Sequence, residues 1–247
     1  MNLGTPIAEG NTAKIYLSDH KIIKVFKDFL PDTESLKEAN KQKYASSCGL
    51  PVPEVLDVIK VNGKQAIVME YIRGDTLGDL LFKDKSRAEH YLSISVDMQL
   101  AIHSHTASGI EPMYDKLYRQ IKEANGLDKR KKSILLKRLG SFTYKPRLCH
   151  GDFHLFNLIK ENNRVVVIDW VDASAGDIRA DVYRSYLLYS EVSSELADMY
   201  LQIYCKKSGL LKSEILEWAP FIAAARLSES VSSKNMERLL EIVNKNY

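Results

Sequence analysis

The sequence predicts an α+β fold of two lobes, in which a small antiparallel β lobe with one helix precedes a larger, mainly helical lobe that carries a β-hairpin. Two observations predict this division. β-rich runs separated by turn residues dominate up to Ile72, whereas helical spacing of apolar residues dominates from Thr76 onward. We therefore expect one lobe over residues 1–72 and a second over residues 73–247.

Four β-rich runs pair into two hairpins in the first lobe. The runs are residues 12–18 with 21–27, and residues 55–61 with 64–72. Asn62-Gly63 separates the second pair, and Asn-Gly between two β-rich runs is the strongest short hairpin signal in a sequence. Asp19-His20 provides the corresponding tight turn for the first pair. The first lobe should therefore contain an antiparallel sheet.

A helix is predicted between the two hairpins. Residues 32–47 have helical spacing, with Asp32 or Thr33 as the N-cap and Gly49 as the stop signal. The order of hairpin, helix and hairpin predicts a small α+β lobe. Gly74 follows the last strand and is a natural hinge.

Helices fill most of the second lobe. The predicted segments are residues 76–82, 87–105, 113–123 and 128–138, with further helices after Ile178. The exception is residues 148–169, where two short apolar runs, Leu158-Ile159 and residues 165–168, flank a turn. Adjacent hydrogen-bonded strands hold side chains rigidly, so this hairpin is a suitable place for chemistry.

Composition and charge exclude several classes of function. The formal net charge of +3 and the pI of about 8.5 are too mild for a dedicated nucleic-acid binder. The three cysteines include no C-x-x-C pair, so we expect free thiols in a reducing cytoplasm and no zinc site. The first ten residues lack a basic or apolar leader, and no apolar run approaches the roughly 20 residues that span a bilayer. We therefore expect neither a nucleic-acid nor a membrane partner, and the sequence carries no signal for an oligomeric state.

The residues best suited to chemistry lie between His150 and Trp170. Asp152 is followed five residues later by Asn157, and Asp169 ends the next apolar run. A loop of the form H-x-D-x-x-x-x-N presents a base and a metal ligand to the same γ-phosphate. We therefore predict that Asp152 is the catalytic proton acceptor. Asn157 and Asp169 are the predicted Mg²⁺ ligands, because this hard ion takes oxygen donors.

These motifs resemble those of the aminoglycoside phosphotransferase and choline kinase-like enzymes, distant relatives of the protein kinases. His150-Gly151-Asp152 with Asn157 is similar to the family's catalytic loop, and Ile168-Asp169-Trp170 stands where protein kinases have D-F-G. The resemblance extends from Glu9-Gly10 through Asp181. It implies a protein-kinase-like fold and a transfer of phosphate from ATP, with GTP left open, to a hydroxyl of an aminoglycoside-, choline- or sugar-like molecule in the presence of Mg²⁺.

The resemblance also implies a lysine and a glutamate that position the nucleotide phosphates. Kinases use a third-strand lysine for the α- and β-phosphates and pair it with a helix glutamate. We predict that Lys24, which shares a strand face with apolar residues, has this role and that Glu38, rather than Glu34, is its partner. The rival lysines are Lys14, Lys21 and Lys27.

Two further segments are expected to contact the nucleotide. The predicted phosphate-covering loop contains Gly10, Asn11 and Thr12, and it departs from the G-x-G-x-x-G pattern of protein kinases. The predicted crossing between the lobes runs from Glu70 to Ile72, where exposed backbone would pair with the adenine edge. The sequence has no G-x-x-x-x-G-K-[ST] motif, which excludes a P-loop enzyme.

Three alternatives to a small-molecule kinase remain open. A protein kinase is disfavoured because Val171-Asp172 follows Trp170 in place of the D-F-G glycine. A non-catalytic nucleotide-binding module, or pseudokinase, would keep the same residues without turnover. A metal-dependent hydrolase would use His150, Asp152, His154 and Asp169. That last reading leaves Lys24 and the amino-terminal hairpins without a role.

Several polar residues have structural roles as alternatives to functional ones. Asp177 and Asp181 either contact a cationic acceptor or cap and brace the helix that begins near Ile178. We expect His150 to brace its loop, because the chain lacks a second ligand at zinc spacing. His103 is also expected to be structural.

Overall fold

The computed structural model describes residues 3–229 and 231–245 of the chain. Antiparallel strands dominate its amino-terminal part and helices dominate the rest, which is the α+β organisation that the sequence predicts. None of the helices in these described ranges is long and apolar enough to cross a membrane.

The chain divides into two compact units, which are described separately below. The first unit ends at Lys83 and also includes Leu155–Asp172, whereas the second contains Asp84–His154 and the chain from Ala173 onward. The hairpin of the predicted catalytic region therefore belongs, by its contacts, to the first unit. The boundary between a nucleotide-binding lobe over residues 1–72 and a second lobe from residue 73 stays a prediction.

The main sheet of the first unit has five antiparallel strands in the order β1-β2-β3-β5-β4. The strands are β1 (Ala8–Glu9), β2 (Ala13–Ser18), β3 (Lys21–Phe26), β4 (Val55–Val61) and β5 (Lys64–Glu70). Both predicted hairpins are present, β2 with β3 and β4 with β5. Their turns use left-handed backbone at Asp19, His20, Asn62 and Gly63, the conformation that matches the twist of a two-residue hairpin.

The helix between the hairpins is α1 (Glu34–Ser47), and it packs on one face of the sheet. Thr33 occupies the predicted N-cap position, but its side chain makes no capping bond. Gln65 takes over that role, because its Oε1 accepts a hydrogen bond from Ser35 N at 2.8 Å. A strand residue far along the chain therefore begins this helix. The opposite face of the sheet has its own apolar cluster around Ile23 and Val25.

A second sheet in the first unit contains the strands of the hairpin that the sequence predicts for the catalytic region. Its order is β6-β8-β9, with β6 (Asp75–Thr76), β8 (Leu158–Glu161) and β9 (Arg164–Val167), and α2 (Leu77–Lys83) follows β6. Gly74 packs against β8 so closely that a Cβ there would lie 2.1 Å from the Lys160 carbonyl oxygen. This contact explains the glycine; its role as a hinge stays a prediction.

The second unit is mainly helical and carries one short strand pair, β7 (Arg147–Cys149) with β10 (Ser174–Gly176). Its helices are α3 (Ala88–His103), α4 (Met113–Glu123), α5 (Lys129–Leu139), α6 (Ile178–Val192), α7 (Ser194–Ser208), α8 (Lys212–Leu216), α9 (Ala219–Arg226) and α10 (Ser233–Lys245). The predicted helical segments are present within a few residues of their expected bounds. Large aromatic side chains, including Tyr200 and Trp218, are fully buried in this unit.

Candidate active site

Lys24 is the centre of a buried cluster of charges in the first unit. Its side chain projects from β3 and is 9% exposed. The Nζ atom donates to Glu38 Oε1 at 2.6 Å and to Asp169 Oδ1 at 3.0 Å. The structure thus brings together three of the residues that the sequence singled out. Of the rival lysines, Lys14 and Lys27 pair with Glu9 near the surface instead.

The charges of this cluster are unbalanced. Burial disfavours the ammonium of Lys24, but the neighbouring Glu38 and Asp169 raise its pKa above the ordinary value, so it stays charged. Burial raises the pKa of Glu38 to about 7 despite its contact with Lys24, and the nearby charges of Asp169 and Asp172 add to this effect. Glu38 Oε2 is buried and has no hydrogen-bond partner among the described residues. The cluster therefore has an excess of carboxylate oxygen over donors.

Asn157 and Asp169 are held by the backbone of the hairpin. Asn157 is buried and ends a 3₁₀ turn, and its carbonyl accepts from Ile168 N at 3.0 Å. Asp169 has a left-handed backbone with φ of 63°, an unusual conformation for a non-glycine residue, and its side chain is 39% exposed. The segment after it is fixed on one side by Lys41 Nζ, which donates to Val171 O at 2.7 Å.

This part of the first unit fits a hard divalent cation. The amide of Asn157 and the carboxylate of Asp169 are both oxygen donors, and the half-exposed Asp169 has room for a further ligand. The uncompensated carboxylate of Glu38 adds negative charge to the same region. The Phe156 ring packs directly against Gly78 and so supports the turn. A Cβ atom added to Gly78 would lie 2.6 Å from atoms of this ring.

The predicted nucleotide-binding loop is a short exposed turn between β1 and β2. Gly10 N donates to Ala13 O at 2.9 Å, and Lys27 N donates to Thr12 O at 2.8 Å. A Cβ on Gly10 would meet nothing closer than 3.9 Å, so packing does not require glycine here. Asn11 is exposed at the tip. Phosphate binding by Gly10, Asn11 and Thr12 stays a prediction.

The predicted crossing after β5 is partly engaged in the sheet. Glu70 N donates to Glu54 O at 2.9 Å, and the Glu70 carboxylate accepts from Glu54 N at 3.2 Å. Ile72 is buried, at 4% exposure. Because the amide of Glu70 already has a partner, adenine recognition would use other backbone groups of this segment. The role of Glu70 and Ile72 stays a prediction.

In the second unit, Asp152 lies in a tight turn that follows β7. Gly151 has a φ of 82°, a left-handed conformation that glycine adopts without strain. The Asp152 carboxylate lies 3.4 Å from His154 Nε2 and 3.7 Å from Arg184 Nη2. Burial alone would raise the pKa of Asp152, but His154, Arg184 and His150 outweigh burial and hold it well below its usual range. Asp152 is therefore ionised at neutral pH, as a proton acceptor requires.

Asp181, on α6, braces the Asp152 turn. Its Oδ1 accepts from Gly151 N at 2.7 Å, and its Oδ2 accepts from Gln99 Nε2 at 3.0 Å and lies 2.9 Å from His103 Nε2. Asp177 caps α6 instead, accepting from Arg179 N at 2.8 Å. Both acids therefore have the structural roles that the sequence left open. His103 is structural as well.

Arg184 is a residue of this site that the sequence reasoning missed. It lies one helical turn after Asp181 on α6, so both side chains point toward the same turn. The spacing D-x-x-R at the start of a helix was the available signal. Arg184 lies far from Asp152 in the sequence, and nothing local marks their contact.

Comparison with known proteins agrees with these motifs. A family model described as "Phosphotransferase enzyme family" matches residues 4–216 of the chain. The chain belongs to the phosphotransferase enzyme family. Membership confirms the family that the catalytic-loop and Ile168-Asp169-Trp170 motifs indicate.

Two curated relatives of this phosphotransferase-family chain are longer than the matched part. This chain is 27% identical over 228 residues to "Acyl-CoA dehydrogenase family member 11" of Pongo abelii. The match covers 76% of this chain and 29% of that protein. The chain is 23% identical over 163 residues to "Protein LicA homolog" of Metamycoplasma hominis, covering 59% of each. The chain therefore spans under a third of the first relative and about three fifths of the second.

Solved structures show the fold of this phosphotransferase-family chain. A thermostable mutant of aminoglycoside phosphotransferase APH(4)-Ia, in a ternary complex with ADP and hygromycin B, matches it with a TM-score of 0.70. The match covers 98% of this chain and 91% of that one at 16% sequence identity. The predicted protein-kinase-like fold is thereby confirmed.

Proposed function

We propose that the protein transfers the γ-phosphate of ATP to a hydroxyl of a small molecule, with Mg²⁺ as the metal. The observation that carries the proposal is the buried contact of Lys24 with Glu38 and Asp169 in a chain of the phosphotransferase family. Burying Lys24 and Glu38 is costly unless their interactions compensate, so such clusters concentrate at functional sites. In this protein, β3 holds Lys24 in place and α1 holds Glu38.

The groups of the first unit would bind the nucleotide phosphates. Lys24 would contact the α- and β-phosphates, and Glu38 would hold the Lys24 side chain in the required direction. Asn157 and Asp169 would hold Mg²⁺. When bound, the metal supplies positive charge that offsets the charge on the phosphate oxygens. Gly10, Asn11 and Thr12 would cover the phosphates, and the segment from Glu70 to Ile72 would contact the base.

Asp152, in the second unit, would act on the acceptor. Its ionised carboxylate would accept a hydrogen bond from the acceptor hydroxyl and take the proton as the new bond to phosphorus forms. The bond between Gly151 N and Asp181 fixes the turn from which the carboxylate projects. In this mechanism most of the rate comes from alignment and charge stabilisation, so fixed positions matter more than strong basicity.

The solved relative supports ATP as the donor and a hydroxyl-rich acceptor. That structure contains ADP and hygromycin B. We therefore favour ATP over GTP, with an acceptor of the aminoglycoside-, choline- or sugar-like class. The three cysteines are free in the structure, which is consistent with the proposed cytoplasmic location.

The test is an ATP-consumption assay with Mg²⁺ and a panel of aminoglycosides, amino alcohols, sugars and nucleosides. The wild type should turn over with at least one acceptor, whereas Asp152→Asn should lose about a thousandfold in kcat and bind ATP within a few-fold of the wild type. Asp198→Asn is the matched control, because that exposed carboxylate on α7 pairs with Lys212 at the surface.

Two outcomes would count against this function. Tight Mg²⁺-ATP binding by the wild type without turnover on any acceptor would favour a pseudokinase. Equal turnover by Asp152→Asn and Asp198→Asn would remove Asp152 from the mechanism.

A further inference from the structure

A pocket in the first unit is lined by several basic side chains and does not include Lys24. Its volume is about 660 Å³, and it lies where the β2–β3 turn, the stretch from Tyr71 to Asp75 and the β8–β9 turn meet. His20, Arg73 and Lys160 contribute the basic groups. Sites for small molecules usually have volumes of roughly 300–1,000 Å³, so the size of this pocket suits a small ligand.

Backbone contacts fix the walls of this pocket. Asp75 lies opposite Lys160 in the pairing of β6 with β8. Arg73 N donates to Glu161 Oε1 at 3.1 Å, which ties the stretch before β6 to the end of β8. Gly74 lies so close to the Lys160 carbonyl that no side chain fits between them. The basic side chains therefore project from backbone that is held at several points.

The two acidic side chains of the pocket already have partners. Asp75 Oδ2 accepts from Lys83 Nζ at 2.8 Å. Glu161 Oε2 accepts from Arg164 Nε at 2.8 Å, and this bond is the main reason that the pKa of Glu161 lies below its ordinary value. Both carboxylates are therefore engaged at the rim of the pocket, away from its basic groups.

The two strongest bases of the pocket have no such partners. Among the residues that the structure describes, the guanidinium of Arg73 and the ammonium of Lys160 form neither an ion pair nor a hydrogen bond. The charge of Arg73 acts on Glu161 only at longer range, as the smallest contribution to the lowered pKa of that carboxyl. The pocket therefore has a surplus of positive charge.

A phosphate group is the ligand that this lining fits best. A guanidinium presents several N–H donors in one plane, an ammonium presents up to three, and an imidazole ring adds one. The oxygens of a phosphate point in several directions, so they accept from donors on different segments at once. The Tyr71 ring in the same lining provides an apolar face for the rest of the molecule.

We propose that this pocket is an anion site, separate from the candidate active site, which binds the phosphate group of a small molecule through Arg73, Lys160 and His20. The inference does not depend on the proposed function, because that function assigns none of these three residues to the nucleotide, the metal or the acceptor.

The test is a titration of the full chain with inorganic phosphate at constant ionic strength. The backbone amide NMR signals of Gly74 and Asn162 report on the pocket, because both residues line it. We expect both signals of the wild type to shift and to saturate. In the double variant Arg73→Gln/Lys160→Gln the affinity should fall about tenfold or more, since two charge-assisted contacts are lost.

The matched control is the double variant Lys43→Gln/Lys60→Gln. It removes the same charge from exposed positions on α1 and β4 of the same unit, outside the pocket. Its affinity for phosphate should stay within about twofold of the wild type. Thermal unfolding checks that each variant folds, and Lys160→Gln alone carries the test if the first double variant does not fold.

Three results would overturn the inference. The first is the absence of saturable shifts in the wild type, or equal affinities of the two double variants. The second is loss of the Gly74 and Asn162 shifts in Lys24→Met, which would show that phosphate acts from the Lys24 cluster instead. The third is binding of acetate as tight as that of phosphate, which would contradict phosphate as the ligand class.

Discussion

The buried charges of the first unit and those of the second unit are organised in opposite ways. In the first, Lys24 faces two carboxylates, one Glu38 oxygen has no partner among the described residues, and burial raises the pKa of Glu38. In the second, Asp181 accepts from a backbone amide and a glutamine and contacts His103, so its pKa is lowered to about 2 despite burial. The difference indicates a ligand site in the first unit and a completed structural brace in the second.

Each pattern has a physical consequence. A carboxylate with fewer hydrogen-bond donors around it than it can accept is able to bind a cation. The cluster of Lys24, Glu38 and Asp169 should therefore gain stability when Mg²⁺ and phosphate bind. A carboxylate whose two oxygens both have hydrogen-bond partners resists movement, so the second network should contribute to folding instead. Substitutions in the two clusters should therefore separate activity from stability.

The largest expected effect is on turnover in the first cluster. Lys24→Met should lower kcat about a thousandfold, because it removes the cation proposed for the α- and β-phosphates. Lys21→Met, at the exposed end of the same strand, is the matched control and should leave kcat unchanged. Steady-state ATP consumption at saturating acceptor measures both. Similar rates for the two variants would mean that the Lys24 cluster is structural.

The next effect is on stability in the second cluster. The pKa of Asp181 is about 2 in the folded protein and near 3.9 in an unfolded chain, so its ionised form stabilises the fold above pH 4. Asp181→Asn should lower the free energy of unfolding by about 2 kcal/mol at pH 7. The deficit should shrink as the pH falls from 5 toward 2, where the wild type itself becomes protonated.

Denaturant unfolding over this pH range measures the Asp181 effect. Asp198→Asn should show no comparable pH-dependent deficit, since Asp198 is exposed. A deficit for Asp181→Asn that stays constant down to pH 2 would show that its charge does not brace the turn.

The pH dependence of stability should have the opposite sign at Glu38. Its pKa is raised in the folded protein, so ionising it costs stability as the pH rises from about 4.5 to 7. Glu38→Gln removes that cost and keeps an acceptor for Lys24, so its free energy of unfolding should rise relative to that of the wild type over this pH range. Turnover should nevertheless fall about tenfold, because the neutral amide holds Lys24 less firmly.

Unfolding and kinetics of the same Glu38→Gln preparation distinguish the two roles. Loss of several kcal/mol of the free energy of unfolding at pH 8 would show that Glu38 is a structural charge like Asp181.

Local chemistry explains which elements the sequence predicted. Asn62-Gly63 and Asp19-His20 adopt the left-handed backbone that their hairpins need, and α4 has the bounds that its apolar spacing indicates. These signals lie within a few residues of one another, so a single sequence contains them. The motif residues Asp152, Asn157 and Asp169 could be predicted for the same reason, since spacing along the chain defines the motif; their roles stay predictions.

Long-range pairing explains what the sequence did not predict. Strands β6, β7 and β10 are two or three residues long, too short for any periodicity, and exist because distant segments pair with them. The cap of α1 comes from Gln65 rather than Thr33. Arg184 approaches Asp152 only through the packing of α6. Such contacts depend on tertiary structure, which local propensity does not encode.

The measurement that bears most directly on the central claim is a structure of the protein with Mg²⁺ and a non-hydrolysable ATP analogue. We predict phosphate oxygens within hydrogen-bond distance of Lys24 Nζ, Glu38 still in contact with Lys24, and Mg²⁺ bound by Asn157 and Asp169. Phosphates bound away from Lys24, or a metal held by neither Asn157 nor Asp169, would contradict it.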